Sequence, residues 1–262
     1  MKTLLLAASL LTSNAFSQNA VILNDAVTYG GHSDGGVYVK GNWYGTNYEA
    51  NQHSIGLISI FLGGNNLTSN FLRANNGASE IVGTKGTFYG PQMDFEEPDF
   101  DYFAGLSNSY TLLGGGSANL SAMNNVTLAL NGPLTIYKIQ SSQLSGMKTL
   151  DFTGQGGVVV FNVTGNLSSW GWSVNYDPSK IVWNFIDATT INIDQRQFTG
   201  SLIAPNANVT QSQNINGTLI ASDWQVNNSV ELHSYPLPSV PEPSVFGLAI
   251  VGGLVTCGKR RR

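Results

Sequence analysis

A short internal repeat constrains this chain more than any other feature. Phe198 to Val209 reads Phe-Thr-Gly-Ser-Leu-Ile-Ala-Pro-Asn-Ala-Asn-Val, and seventeen positions after Gly200 comes Gly-Thr-Leu-Ile-Ala-Ser-Asp-Trp-Gln-Val. The copies align Gly200 with Gly217, Leu202 with Leu219, Ile203 with Ile220, Ala204 with Ala221 and Val209 with Val226. Each holds a glycine, an apolar run of strand type and a polar bend. That is too little to bury a face by itself, so a continuous core forms only when copies stack. The short period, with no helix between strands, selects a β-solenoid (β-helix) over leucine-rich or helical arrays. Ile181 to Ala188 falls about one period earlier, roughly one residue out of step, and Val158 to Val163 is placed to be the rung before it.

Only 11% of the 262 residues are charged and 30 are glycine, amid abundant Asn, Ser and Thr. This is the composition of turn-rich β structure rather than of helices. The formal charge is −4; setting aside Lys2, Glu242, Lys259, Arg260, Arg261 and Arg262 in the terminal segments, seven basic residues face fifteen acidic ones. Such a balance opposes a polyanion partner and excludes nucleic acid. Cys257 is the one cysteine, so packing and ladder hydrogen bonds, not disulfides or thiolate metal sites, must hold the fold.

Val37 and Val39, Ile55 to Leu62, Ile81-Val82 and Thr87 to Tyr89 read as short strands between glycine bends. The period changes after Pro98: Phe103, Leu106, Tyr110 and Leu113 fall at i, i+3, i+7 and i+10, the stripe of one amphipathic helix ended by Gly114-Gly115-Gly116. Strand signals resume at Val126 to Leu130, Leu134 to Ile139, Val158 to Val163, Ile181 to Ile186 and Ile191 to Ile193. Asp94, Glu96, Glu97, Asp99 and Asp101 lead into the helix. Three readings of them stand open: carboxylates complementing the helix dipole, a calcium site without Asp-x-Asp-x-Asp-Gly spacing, or a carboxylate pair for glycoside hydrolysis, defined by separation in space.

Both ends read as addresses. Lys2, the apolar run Leu4 to Leu11 and the small residues Ala15 and Ser17 follow signal-peptide grammar. At the other end Pro241-Glu242-Pro243 precedes the apolar Val245 to Cys257 and the basic Lys259, Arg260, Arg261 and Arg262. A helix of that apolar length reaches about 20 Å against a hydrocarbon core of about 30 Å, which suits a transient inner-membrane anchor with a cytoplasmic basic stop; a permanent tail anchor is the alternative. The order of parts resembles the PEP-CTERM sorting signal of Gram-negative bacteria, and the resemblance implies recognition by an exosortase through Pro241, Glu242, Pro243, Arg260, Arg261 and Arg262. The expected division is a signal peptide over 1–17, a mainly β solenoid with one flanking α-helix over 18–237, and a sorting segment with a short apolar helix over 238–262.

The interior carries a second resemblance. Gly-Gly-Val-Tyr-Val-Lys-Gly-Asn from Gly35, Phe161 to Gly165, Trp183 to Ala188, Gly200 to Ala207 and the closing Glu231-Leu232-His233 resemble the choice-of-anchor A domain over nearly all of Val21 to Leu237. That family pairs one domain with different attachment signals, which implies surface adhesion. More distantly, Leu202 to Ala207 is similar to the repeat of ice-binding β-solenoids, which also carry a flanking helix. The Trp170-Gly171-Trp172 insert and the lack of a Thr-x-Thr ladder are departures.

Nothing nominates a catalyst or a cofactor. There is no Gly-x-Ser-x-Gly elbow, no Walker loop and no Gly-x-Gly-x-x-Gly. His32, His53 and His233 lie too far apart for a spaced metal motif. Trp43, Tyr44, Tyr48, Trp170, Trp172 and Trp224 sit among glycines and asparagines, where aromatic faces stack on sugar rings. Trp43, Trp170 and Trp172 are the candidate carbohydrate contacts, the alternative being that Trp170 and Trp172 cap an open end of the core. The functional expectation is an exported matrix or surface protein of a Gram-negative bacterium, non-catalytic, associating with exopolysaccharide or neighbouring cells. A polysaccharide-active enzyme on a β-helix and an ice-binding protein are the alternatives.

Overall fold

The computed structural model describes residues 18–53, 58–121, 124–154 and 156–238. The signal peptide and the Pro-Glu-Pro, apolar and basic parts of the tail lie outside them. Among the described residues the pairings are parallel, in a sheet of 19 strands and a separate one of 3. Parallel neighbours joined by bends wind a β-solenoid, as expected. The helix Phe100–Leu112 lies along its flank, and the Asp99 carboxylate caps it by accepting from Tyr102 N at 2.9 Å. Among the described residues no helix is long and apolar enough to cross a membrane.

The repeat copies stack as neighbouring rungs, with Leu202 on Leu219, Ile203 on Ile220 and Ala204 on Ala221. Beyond the corner the register differs from the sequence alignment: Val209 lies on Trp224 and Gln211 on Val226. The bend Pro205-Asn206-Ala207 takes up two extra residues, so the spacing of 17 holds only before it. One rung earlier, Trp183 pairs with Leu202, a spacing of nineteen, so that rung is two residues out of step rather than one. Phe161 pairs with Trp183, which makes Val158–Thr164 the preceding rung.

The rungs do not follow chain order. From Gln18–Ile22 the chain climbs through Gly36–Val39 and Ile58–Leu62 to Ala78–Ile81. The extended segment after Tyr89 and the helix carry it back, and a second ladder then climbs through Leu134–Gln140, Val158–Thr164, Ile181–Phe185, Ser201–Gln211 and Leu219–Val226. Its last rung stacks under the first: Ala20 lies on Leu219, Ala26 on Trp224 and Leu232 on Ser33. Main-chain bonds cross this seam, Leu23 N to Ala221 O at 2.9 Å, Asn24 N to Ser222 O at 2.8 Å and Trp224 N to Asp25 O at 3.1 Å. One ladder is thus assembled from two lengths of chain.

Strand alternation separates two apolar layers. Inward residues form the solenoid core, where Phe161 and Trp183 stack at 4.1 Å and Trp170 meets Trp183 edge-on at 5.1 Å. Outward residues of one face, Val160, Val182, Ile203, Ile220, Val21, Tyr38 and Phe61, pack beneath Phe100, Phe103 and Tyr110 of the helix. That list includes residues from both sides of the seam, so the helix clasps the two ladders together. Asn162 Nδ2 donates to Tyr110 O at 3.1 Å and Asn184 Nδ2 to Ser107 O at 3.0 Å, which fixes the helix on the sheet.

Candidate functional site

Among the described residues, two outward surfaces away from the helix stand out. The first is the face built from Thr190–Ile193, 208–211, 223–226, Ala26–Thr28, 43–45 and 66–68. Its register puts Asn192, Thr210, Gln225, Val27, Tyr44 and Leu67 in one row. Stacked rungs lie about 4.8 Å apart, so these side chains form a continuous stripe, amide and hydroxyl at one end and apolar at the other. Tyr44 is 36% exposed and Leu67 48%. Tyr29, at the corner after Thr28, is exposed as well.

The same alternation turns Trp43, one residue from Tyr44, inward. Trp43, Trp170 and Trp172 are fully buried, which corrects their nomination as carbohydrate contacts: rings with no solvent-facing surface cannot stack on a sugar. Two of the indoles are wired internally, Trp43 Nε1 donating to Thr28 Oγ1 at 3.0 Å and Trp170 Nε1 to Gln197 O at 3.2 Å, while Trp172 Nε1 is buried without an acceptor. Trp170 does not cap an open end either, since it packs between Trp183 and Phe198 within the stack. Tyr48 and Trp224 are core residues too, 5.5 Å apart.

Beside the stripe runs an Asp/Asn ladder. Asp25 Oδ1 accepts from Asn42 N, Asn42 Oδ1 accepts from Asn65 N at 2.9 Å, and Asn65 Oδ1 accepts from Thr84 N at 2.9 Å. These side chains satisfy the amides of successive bends. Their acceptors are spent on structure, whereas Gln225, Thr210 and Asn192 keep partly exposed polar groups in the open row. The sequence has no Thr-x-Thr, and the paired outward positions read Thr190/Asn192, Asn208/Thr210 and Asp223/Gln225.

The second surface lies on the seam. The three histidines, scattered in sequence, converge there. His233 Nδ1 is 3.1 Å from Asp34 Oδ2 and its Nε2 is 3.1 Å from Glu231 Oε2. His32 Nε2 is 3.7 Å from Glu231 Oε1, and His53 Nε2 is 3.9 Å from Asp34 Oδ1. Beneath them Tyr48 is fully buried, and burial pushes its phenol far above the ordinary range; a Ser33 contact opposes this and the Asp34 charge adds to it. The Ser33 hydroxyl itself donates to Gly35 O at 2.8 Å, and Tyr48 Oη is left without a hydrogen bond of normal geometry.

The acidic run is dispersed. Asp94, Glu96 and Glu97 lie exposed on the extended segment before the helix, Asp99 is the cap and Asp101 sits in the first turn. Among the described residues the grouping of ligand atoms close enough for a metal is His32, Asp34 and His53, not these carboxylates. The helix-dipole reading therefore accounts for Asp99 and Asp101, and the calcium reading has no gathered ligand set.

A parallel solenoid clasped by one helix, with open sheet faces, is the class of fold these residues define. The chain belongs to the family described as "Putative Ice-binding-like adhesive domain", whose model matches residues 14–234. No curated protein matches it. Among solved structures it is similar to an ice-binding protein from the Antarctic ascomycete Antarctomyces psychrotrophicus, at 12% identity and TM-score 0.42, with 86% of this chain and 97% of that chain covered. It is also similar to a glycosylated ice-binding protein from Arctic yeast, at 11% identity and TM-score 0.31, covering 88% of this chain and 95% of that one.

Proposed function

We propose that this protein is an exported, non-catalytic adhesin that grips exopolysaccharide through the open face carrying Tyr44. The observation that carries this reading is the row Gln225, Val27, Tyr44 and Leu67, held in register across the seam with Tyr44 and Leu67 exposed. An aromatic ring beside an apolar side chain offers a flat surface to the C–H face of a sugar, and amides along the same row suit hydroxyls. A straight row of equal spacing matches a polymer of repeating units better than a single small molecule. The family membership supports adhesion; the absence of Thr-x-Thr pairs favours a glycan over an ice lattice.

The choice-of-anchor A and PEP-CTERM resemblances extend the proposal to the route. The precursor is held at the inner membrane by its apolar tail, recognised by an exosortase at Pro241-Glu242-Pro243 and delivered to the cell surface or extracellular matrix. Deleting residues 241–262 then releases the protein to the medium or strands it in the periplasm, read by fractionation and blotting; unchanged surface retention contradicts the route. For binding, Tyr44→Ala loses at least tenfold in affinity for the host's exopolysaccharide on a glycan array or by co-sedimentation, while stability moves by no more than about 0.5 kcal/mol. Chain shortening of that polysaccharide by the purified protein would favour the enzyme alternative.

A further inference from the structure

The histidine cluster on the seam has a geometry that hydrogen bonding alone does not explain. His32, Asp34 and His53 each present one ligand atom, all within 4.8 Å of one another. Glu231 Oε1 lies 3.7 Å from His32 Nε2, at the edge of this group. Asp34 Oδ1 is buried and accepts no hydrogen bond, although Asp34 Oδ2 is engaged by His233 Nδ1 at 3.1 Å and by Ser234 N at 3.3 Å. A buried carboxylate oxygen left unpaired is expensive, and such an atom calls for an ion or another donor. It faces His53, whose main-chain N donates to Asp34 O at 3.3 Å. His53 itself is exposed, its side chain 69% accessible, and a modest rotation brings its imidazole toward Asp34.

We propose that His32, Asp34, His53 and Glu231 form a binding site for one divalent transition metal of the zinc class. Two imidazoles and two carboxylates are a borderline nitrogen and oxygen set, which suits zinc over calcium or magnesium with their all-oxygen preference. Bonds of about 2.0–2.2 Å in a tetrahedron place ligand atoms roughly 3.4 Å apart, so the 4.8 Å spread of His32, Asp34 and His53 closes with side-chain movement, and the Glu231 carboxylate turns in from beside His32 to complete the set. His233 lies between the two carboxylates, 3.1 Å from each, in the place of an outer-shell partner that orients ligands. The consequence is structural. His32 and Asp34 belong to the first turn of the solenoid, Glu231 to the last strand and His53 to the bend after Trp43–Ala50. A metal held by all four ties together the two ends of the described chain where no covalent link joins them.

The test uses the full chain without a polyhistidine tag, carrying Cys257→Ser so that the thiol cannot compete, stripped with EDTA and dialysed. Zinc chloride is titrated by calorimetry, metal content is measured by mass spectrometry and melting is followed by circular dichroism. One equivalent binds, and at a hundred times its Kd the melting temperature rises by about 5–10 °C; calcium and magnesium do neither. The exposed substitution His53→Ala, and separately His32→Gln, lose the bound equivalent and the thermal rise while the zinc-free spectrum is unchanged. Absence of zinc binding, or binding retained in both variants, overturns the proposal. Loss of glycan binding in Tyr44→Ala bears on the open face alone and leaves this result independent.

Discussion

The rung junction inside the repeat and the junction at the seam are built from the same parts, yet they differ in what holds them. Between 202–204 and 219–221 the stack joins residues seventeen apart, apolar on both sides of the sheet. Between 219–221 and 20–22 the same parallel hydrogen bonds join residues about two hundred apart. Loop-closure entropy grows slowly with length but is not negligible, and the seam carries added devices: the helix lying over both ladders, the Asn24 to Asp223 side-chain bond at 2.8 Å and the histidine–carboxylate cluster. Where chain neighbours stack, local bends and short Asp/Asn ladders such as Asp25–Asn42–Asn65 set the register. Where distant segments stack, side chains from both ends of the described chain are added to these.

Three perturbations break or sharpen that contrast. The largest effect comes from the repeat ladder's core: Trp183→Ala removes a fully buried indole stacked on Phe161 and lowers stability by about 3–5 kcal/mol in denaturant melts. A substitution at the seam acts differently. Gly31 has φ +94 and a methyl group there would overlap the Val230 carbonyl, so Gly31→Ala destabilises by about 1–3 kcal/mol. Hydrogen exchange then accelerates first at the Leu23 and Asp34 amides, which bond across the seam, and not at the Leu202 amide. The smallest effect reports on the helix clasp. Burial raises the Tyr110 phenol above its usual 10.0, the Tyr102 charge adding a lesser push. The unfolded chain therefore releases this proton first as pH rises, so the contribution is complete below about pH 10 and is lost progressively above it. Tyr110→Phe flattens the alkaline limb of a stability–pH profile and leaves it unchanged near neutrality.

Much of this architecture is legible in the sequence because the repeat and the helical stripe are local. Leu202 on Leu219 follows from spacing alone, and the helix bounds follow from Pro98, the apolar stripe and the glycine run. Val209 on Trp224 does not, because corner length varies from rung to rung without altering the strand pattern. Lys148–Thr153 and Trp172–Val174 pair in the smaller sheet, but their mixed polar residues give no continuous apolar run to find. In Trp43-Tyr44 the more apolar ring turns to the core and the phenol to solvent, a choice that strand alternation poses and only the stack resolves. The histidines could not be gathered from spacing, since their meeting depends on the return path of the chain along the helix.

The closure of two ladders into one is tested most directly by a cross-link. In a Cys257→Ser chain, Asn24→Cys with Asp223→Cys is oxidised and its mobility compared on non-reducing gels with a control pairing Asn24→Cys with Asp187→Cys. Neighbouring rungs lie within disulfide reach, so the first pair forms an intramolecular bond in near-quantitative yield and the control does not. Equal, low yields from both pairs in a folded protein would mean that the last rung does not lie beneath the first.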